Sequence, residues 1–404
     1  MKRSVLSLVL MFVVCGSASA VEHINNPATP RDGRSTLELQ EAWRVGGEDG
    51  DTLFGLISSV ATDRDGNVYI LDSQQSQVSV YDRNGEFLRS LFREGDGPGE
   101  VRAPRDMMLM GDGRVGLVQE FPGAISIVDA HGNPEQRVTI GGTSGGMNSL
   151  TACYASGDVI LVSGTHQSQG ATSNISLREN FLECIDSDGM TIGQFATNQT
   201  QYNFADFRFT ERDHLPPFWW CFAASDDGTV YTTSDRDVYE ITAHSTDGQL
   251  LRVFGREYEQ VMRTDQEYDR LMGMVKSAMA GAPFQPTIVV EKSESVLSYL
   301  HRGLQIHSDG TLWALTGHGV RSRLTGVMVE FDVFDSDGVF VKQVGFEAPH
   351  EGQDVGVFLS GPDHVLVVLG YFESLAAQFG NGATFSGEDG EAAMPEVICY
   401  EILR

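Results

Sequence analysis

Residues 57–92 read ISSVATDRDGNVYILDSQQSQVSVYDRNGEFLRSLF, and the parsing of this stretch decides the fold. β-branched and aromatic residues fill short runs with a period of two, and Asp65-Gly66 and Asn84-Gly85 punctuate them. Such alternation marks strands, and Asp-Gly or Asn-Gly marks the tight hairpins between them, because glycine adopts positive φ without a Cβ clash. The stretch predicts a four-stranded antiparallel unit.

The unit recurs downstream of the opening stretch. Pro104–Ile140, Trp219–Gly255 and His301–Phe346 repeat the order strand, x-D-G turn, strand, loop, strand, x-G turn, strand. Gly66 to Gly85 and Gly113 to Gly132 are each 19 residues apart, and Gly228 to Gly248 is 20. A weaker unit spans Leu150–Thr197. A sixth begins at Val355 and ends in VICYEIL (397–403), one strand short. LELQEAWRV (Leu37–Val45) precedes the first full unit and can supply the missing strand. Four-stranded units repeated at this spacing predict an all-β fold, a six-bladed β-propeller closed by its N-terminal strand. Closure of that kind removes two open sheet edges.

The pieces DGNVYILD (65–72), VSVYDRNGEFL (78–88) and GDGPGEVRAP (95–104) resemble the six-bladed propellers of the NHL-repeat and TolB-like type in their exported bacterial form. The resemblance covers nearly all of residues 37–404, with Val101 where those proteins usually carry Phe. It implies architecture more than activity, since propellers host binding, scaffolding and catalysis alike. It also implies a second possibility, a metal-dependent lactonase, lyase or hydrolase, because some six-bladed relatives hold a metal in the central channel.

REGDGPGE (93–100) is a glycine-rich cluster and superficially suits a phosphate. A phosphate loop requires a following helix and usually a Lys-Ser/Thr pair. Here VRAPRDMMLM follows and reads as strand, Pro98 lacks an amide donor, and Glu100 repels anions. The cluster is read as punctuation between two blades.

The chain opens MKRSVLSLVLMFVVCGSASA. A basic head, an apolar run too short to span a bilayer, and Ala18-Ser19-Ala20 predict a secretory signal over 1–20, with 21–36 as an N-terminal extension. Cys15 as a lipid anchor is the rival reading, but Val14 stands where a small residue usually precedes such a cysteine. The expected location is periplasmic or secreted. Against 28 Lys and Arg stand 56 Asp and Glu, a formal net charge of −28. So acidic a surface disfavours nucleic acid and anionic membranes as partners, and a monomer without membrane insertion is expected. Cys153, Cys184, Cys221 and Cys399 each lie in apolar runs with no metal or disulfide spacing, so they are read as buried free thiols.

Function is expected where the pattern is interrupted. Insertions at 163–180, 196–218, 256–300, 316–326 and 370–396 all fall in connections that a propeller gathers on one face, and loops on a rigid scaffold commonly carry binding. Within 257–300, Val261, Leu271, Met274 and Val275 suit a small helical insertion between the fourth and fifth blades. Counting back eight residues from the first turn of each unit gives Ser58, Arg105, Ser149, Trp220, Arg302 and Val355. Counting back nine gives Ile57, Pro104, Asn148, Trp219, His301 and Asp354. From these, Arg105, Asn148, Trp219, Trp220, His301, Arg302 and Asp354 are the candidate ligand-binding residues at the channel mouth. Arginines beside tryptophans can receive an anionic or sugar-like group. The plainer alternative pairs Arg105 with Glu100 or Asp106 and buries the tryptophans between blades.

No nucleophile elbow or close histidine pair is present, and DRDGN (63–67) and the two DSDG stretches (186–189, 335–338) do not complete a calcium loop. No catalytic residue, metal ligand or cofactor is assigned. For the enzyme alternative, Asn148, His301 and Asp354 form the one plausible ligand set. The leading expectation is a non-catalytic protein that binds a protein, peptide or glycan on its loop-rich face. Arg105→Ala, Trp220→Ala and Arg302→Ala are predicted to lose the partner and keep the fold.

Overall fold

The alternating runs form the strands they predict. The computed structural model describes residues 21–48, 50–140, 147–157, 159–282, 285–299, 302–321, 324–350, 355–379 and 394–403. The signal expected over 1–20, with Cys15, lies outside the described residues, as do His301 and Asp354.

Residues 57–91 build one antiparallel sheet from Ile57–Thr62, Val68–Asp72, Gln77–Tyr81 and Phe87–Leu91. A second uses Pro104–Leu109, Val115–Gln119, Ala124–Val128 and Pro134–Thr139, and a third uses Met147–Ser156, Val159–Gln169, Ile175–Ile185 and Thr191–Asn203. A fourth contains Phe222–Ala224, Val230–Thr232, Ile241–His244 and Leu250–Arg256. These four sheets stand apart, and the remaining large sheet has eight strands. Its halves are Leu304–Ile306 to Phe340–Glu347 and Val355–Ser360 to Glu396–Ile402, joined by Arg34–Gly46.

The first strands of the successive units lie side by side. Ile57–Thr62 contacts Pro104–Leu109, then come Met147–Ser156, Phe222–Ala224, Leu304–Ile306 and Val355–Ser360, which returns to Ile57–Thr62. The sheets are therefore arranged as in a propeller, around a common centre. Inner strands are buried on both faces, as Val68–Asp72 is throughout, while the outer strand Phe87–Leu91 is largely exposed. Neighbouring sheets share their cores: Met108, Val118 and Ile125 of the second pack with Leu150, Val162 and Phe181 of the third. Each such side chain contributes about 1.5–3 kcal/mol on burial.

The turn chemistry explains the apparent calcium loops. Asp63 Oδ1 accepts the amides of Asp65 and Asn67, both at 2.9 Å. Asp186 and Asp335 do the same for the amides two and four residues ahead. These carboxylates fasten their own hairpins, each closed by a glycine at φ between +81° and +86°. Gly85 answers a second demand as well, since a Cβ there would lie 2.7 Å from Trp43 Cγ.

The strand expected over Leu37–Val45 pairs antiparallel with the C-terminal strand, Leu39 opposite Ile402 and Val45 opposite Val397. It also begins earlier, at Arg34, where Arg34–Glu38 runs parallel to Gln343–Glu347. One strand thus welds two units into the eight-stranded sheet. Upstream, Glu22–Asn26 adds a parallel fifth strand to the fourth sheet. The polar run EHINN gives no alternation to announce it. Asn26 Nδ2 donates to the carbonyls of Gly255 and Gly338, both at 2.9 Å, and its Oδ1 accepts the Phe340 amide at 2.9 Å.

Two of the expected insertions are not loops. Residues 163–180 continue a long hairpin paired from Ile160–Ile185 out to Gln169–Ser176, and 196–203 extend the outer strand beside it. The polar text THQSQGATSNIS hid this, because a hairpin standing beyond the core needs no apolar face. The rest of 196–218 carries α1 (Glu211–His214), and the remaining insertions carry α2 (Asp265–Ala278), α3 (Gly317–Val320) and α4 (Tyr371–Phe379). α2 begins at a capping box, with Thr264 Oγ1 accepting the Glu267 amide and Glu267 Oε2 accepting that of Thr264. It buries Leu271, Met274 and Val275, whereas Val261 precedes the helix. No described helix is long and apolar enough to cross a membrane.

Cys153, Cys184, Cys221 and Cys399 are free and buried. Burial pushes the Cys221 and Cys399 thiols up to about 12, so neither is a thiolate nucleophile.

Candidate functional site

REGDGPGE closes on itself. Arg93–Glu94 runs parallel to Glu100–Val101, and the Glu100 carboxylate accepts the Gly97 amide and Arg93 Nε, both at 2.8 Å. The anion that a glycine-rich loop would seek is supplied by its own glutamate. A Cβ on Gly99 would lie 2.9 Å from Pro134 Cγ, so this junction also needs glycine for its approach to the next sheet.

At the start of the inner strands, four residues of the eight-back register meet. Ser58, Arg105, Trp220 and Arg302 line one cavity of about 40 Å³, together with Asp106, Glu120, Leu150, Thr151 and Ala152. Tyr371, Leu375 and Gln378 of α4 complete it. α4 is held by Gln378 Nε2 donating to Ser73 Oγ at 2.9 Å and by the Arg270–Glu373 ion pair with α2. The insertions are further bonded to one another through Arg321 with Glu267 and Glu294, and through Arg263 with Glu211.

The two arginines play different parts. Arg302 sits at φ +51°, a left-handed conformation that costs a bulky residue about 1–3 kcal/mol. That backbone aims its guanidinium at Asp106 and, more distantly, at Ser59 Oγ. Asp106 is only 3% exposed and also accepts the amides of Met107 at 2.8 Å and Cys153 at 2.9 Å. The pair ties together strands of four units. Burial opposes the charge on Arg302, but the adjacent Asp106 outweighs it and raises the guanidinium pKa above its ordinary value. Arg105 instead pairs with Glu120, its Nε 2.7 Å from Oε2, and not with Glu100 or Asp106. Glu100 is occupied by Arg93 and Asp106 by Arg302.

The other candidates divide. Trp220 lines the cavity and stacks on Tyr299, ring centroids 5.9 Å apart at 24°. Trp219 does not reach the cavity: its Nε1 donates to the Gly164 carbonyl at 3.1 Å, anchoring the loop to the third sheet. Asn148 is likewise committed, its Nδ2 donating to the Ile140 carbonyl and its Oδ1 lying 2.9 Å from His166 Nδ1. Of the eight-back set, Ser149 and Val355 do not line this cavity; successive residues of a strand face opposite ways, so Trp219 and Asn148 of the nine-back set are turned elsewhere. Of the ligand set weighed for the enzyme alternative, Asn148 is engaged as above, and His301 and Asp354 lie outside the described residues. Among the described residues no three His, Cys, Asp or Glu side chains are grouped to hold a metal ion.

Sequence reasoning missed Glu120 and the α4 residues, and named Asp106 only as a possible partner of Arg105 rather than of Arg302. Glu120 was within reach of the same counting, because Gln119 pairs with Pro104 and so places Glu120 at the rim beside Arg105. α4 had no such signal, since its position follows from packing alone.

No protein-family model matches the chain, and no curated protein matches it. Among solved structures, it is similar to a Bacteroides fragilis protein described as exported, at 12% identity and TM-score 0.50, covering 95% of this chain and 100% of that one. A DUF4221-family member from Bacteroides vulgatus is similar at 8% identity and TM-score 0.48, covering 91% and 99%. Virginiamycin B lyase from Staphylococcus aureus follows at 11% and 0.40, covering 90% and 99%. Identities this low speak to fold alone, and the two lower scores carry no argument about function.

Proposed function

We propose that this chain is an exported, non-catalytic recognition protein, a six-bladed propeller of the NHL-repeat and TolB-like type, periplasmic or secreted and monomeric. It binds a protein, peptide or glycan on its insertion-bearing face. The six-bladed reading is supported by the closed circuit of first strands, with the eight-stranded sheet taken as two blades welded by Arg34–Gly46. The recognition reading is carried by one observation: Arg105, Trp220 and Arg302, from three separate units, converge with Ser58 on one cavity beneath α4. A forked cation beside an indole face is suited to a polar partner with a planar or anionic group. The cavity is far smaller than the roughly 300–1,000 Å³ of a typical small-molecule site. A partner of any size therefore binds across the rim and α4, with a single group entering the cavity.

The test is capture of partners from envelope extract, backed by peptide and glycan arrays, comparing wild type with Arg105→Ala and Trp220→Ala. Both variants are expected to fold, by circular dichroism, and to lose the ligand that wild type selects on the arrays. Retention of that ligand by both would place recognition elsewhere. Arg302→Ala is unsuitable for this purpose, because it breaks a buried pair. A stoichiometric metal found in the purified protein by elemental analysis would move the reading to the enzyme alternative.

A further inference from the structure

Away from the channel mouth, a second cavity of about 250 Å³ lies between the fourth and fifth units, and it shares no lining residue with the first. Arg256 ends the outer strand of the fourth sheet. Glu330 and Gln343 come from Val327–Phe334 and Phe340–Glu347 of the fifth unit, and Arg34 opens the strand Arg34–Gly46. Ala28, His318 of α3 and Leu324 complete the wall.

The carboxylate of this cavity is buried short of donors. The Glu330 side chain is 11% exposed. Arg34 Nε lies 3.2 Å from Glu330 Oε2, yet its proton goes to Gln343 Oε1 at 2.9 Å, where Nη2 also donates at 2.6 Å. Gln343 is committed on its other side too, its Nε2 donating to Asp332 Oδ1 at 2.8 Å. Glu330 Oε2 is shielded from solvent and has no hydrogen-bond partner. Burial holds the Glu330 carboxyl above its ordinary 4.5, although Arg34 draws it down. A buried carboxylate in that state is destabilised until a donor reaches it. The last torsion of a glutamate is broad and two-fold, so either oxygen turns toward the cavity at small cost.

The complementary demand stands beside it. The Arg256 side chain is 8% exposed. Its Nε donates to Asp332 Oδ2 at 2.7 Å and its Nη1 to the Glu257 carbonyl at 2.9 Å, while Nη2 carries no hydrogen bond among the described residues. The rings of Tyr239, Tyr258 and Phe340 hold the guanidinium in place, their centroids 5.1 to 5.2 Å from Cζ. One cavity thus offers an acceptor short of donors and a donor short of acceptors. A cation there meets Arg34 and Arg256, and an anion meets Glu330. A hydroxyl answers both demands with one atom, since it donates a proton and accepts on its lone pairs; an amide needs two atoms to do the same.

We infer that this cavity is a carbohydrate subsite that takes a vicinal diol of one sugar ring, one hydroxyl donating to Glu330 and its neighbour accepting from Arg256. The site is separate from the channel mouth and does not depend on the reading given to it. Its volume approaches the lower bound of small-molecule sites, roughly 300 Å³, which suits a single ring. That ring is either a free monosaccharide or the end of a glycan.

Saturation-transfer NMR and isothermal titration test this on the full-length protein with glucose, mannose and galactose, their methyl glycosides, and N-acetylglutamine amide. The proteins compared are wild type, Glu330→Gln and Trp220→Ala. At least one sugar is expected to bind wild type, and Glu330→Gln to weaken it by about tenfold or more, since a charge-assisted hydrogen bond is lost. The melting temperature of Glu330→Gln is expected to hold or rise, because the substitution removes a buried charge that no donor satisfies. Trp220→Ala is expected to keep the sugar. Preference for a methyl glycoside assigns the end of a glycan, and preference for the free sugar assigns a monosaccharide; either supports the inference. No binding by any sugar, undiminished binding by Glu330→Gln, or a lower melting temperature of that variant overturns it. Binding of N-acetylglutamine amide in place of the sugars overturns it in favour of a peptide side chain. Loss of the sugar in Trp220→Ala places carbohydrate at the channel mouth and overturns it as well.

Discussion

Arg302 concentrates at one position what a single residue does for the whole centre. A left-handed arginine is strained, and here the strain is held by an ion pair to Asp106 that reaches across the ring. Arg302→Ala leaves Asp106 buried without its counter-charge, and such a loss costs about 3–5 kcal/mol. Chemical denaturation is expected to show that drop in midpoint, with Arg302→Ala, Asp106→Ala and the double variant falling by similar amounts because the two residues act as one unit. Additive losses would mean that the pair does not couple. Arg105→Ala, by contrast, removes a rim pair and is expected to shift stability by no more than about 1 kcal/mol.

Among the elements, the insertions depend on one buried carboxylate. Glu211, the first residue of α1, is 1% exposed. It accepts from Arg236 at 3.1 Å, Arg263 at 2.7 and 2.8 Å, Tyr299 at 3.0 Å and the Glu291 amide at 2.9 Å. Through these partners α1, the approach to α2 and the fourth sheet become one body. Burial acts to raise its pKa, but Arg263 and Arg236 prevail and hold it below the ordinary 4.5. A glutamate lowered in the folded state contributes stability that is complete above about pH 4.5 and is lost as pH falls toward the folded value. Near-ultraviolet circular dichroism, which reports Trp220 stacked on Tyr299, is expected to show an acid transition of the insertion below that pH. Glu211→Gln should lose stability at neutral pH and lack this acid component. An unchanged acid profile in Glu211→Gln would assign the transition to other groups.

The whole molecule is fastened by residues 22–46 as a belt. Glu22–Asn26 lies on the outer edge of the fourth sheet, Asn26 bridges to Gly338 and Phe340, and Arg34–Gly46 spans the two halves of the eight-stranded sheet. The belt therefore touches three successive units and closes the circuit between the last and the first. Deleting residues 21–33 uncovers the edge of Leu250–Arg256, where Leu250 and Leu251 are already exposed, and is expected to lower the melting temperature and promote association. Extending the deletion through Val45 removes the partner of Val397–Ile402 and is expected to abolish cooperative unfolding. If the longer deletion melts like wild type, closure by this strand contributes nothing to stability.

Much of this was legible in the chain because repetition and turn chemistry are local. The Asp-Gly and Asn-Gly signals located the hairpins, the period-two runs located the inner strands, and the eight-residue count placed Ser58, Arg105, Trp220 and Arg302 at one mouth. Polar elements were not legible: Glu22–Asn26 and the outer part of the third hairpin pair through backbone hydrogen bonds, which any side chain permits. Nor were the partners of the candidate residues. Whether Arg105 meets Glu100, Asp106 or Glu120 depends on side-chain directions within one unit, and whether Asp106 meets Arg302 and α4 covers the mouth depends on distances between units that the chain separates by many residues. By itself, the sequence determined the repeating unit and where its hairpins turn. Tertiary structure alone decided which charges pair across the centre, because pairing is set by proximity in space.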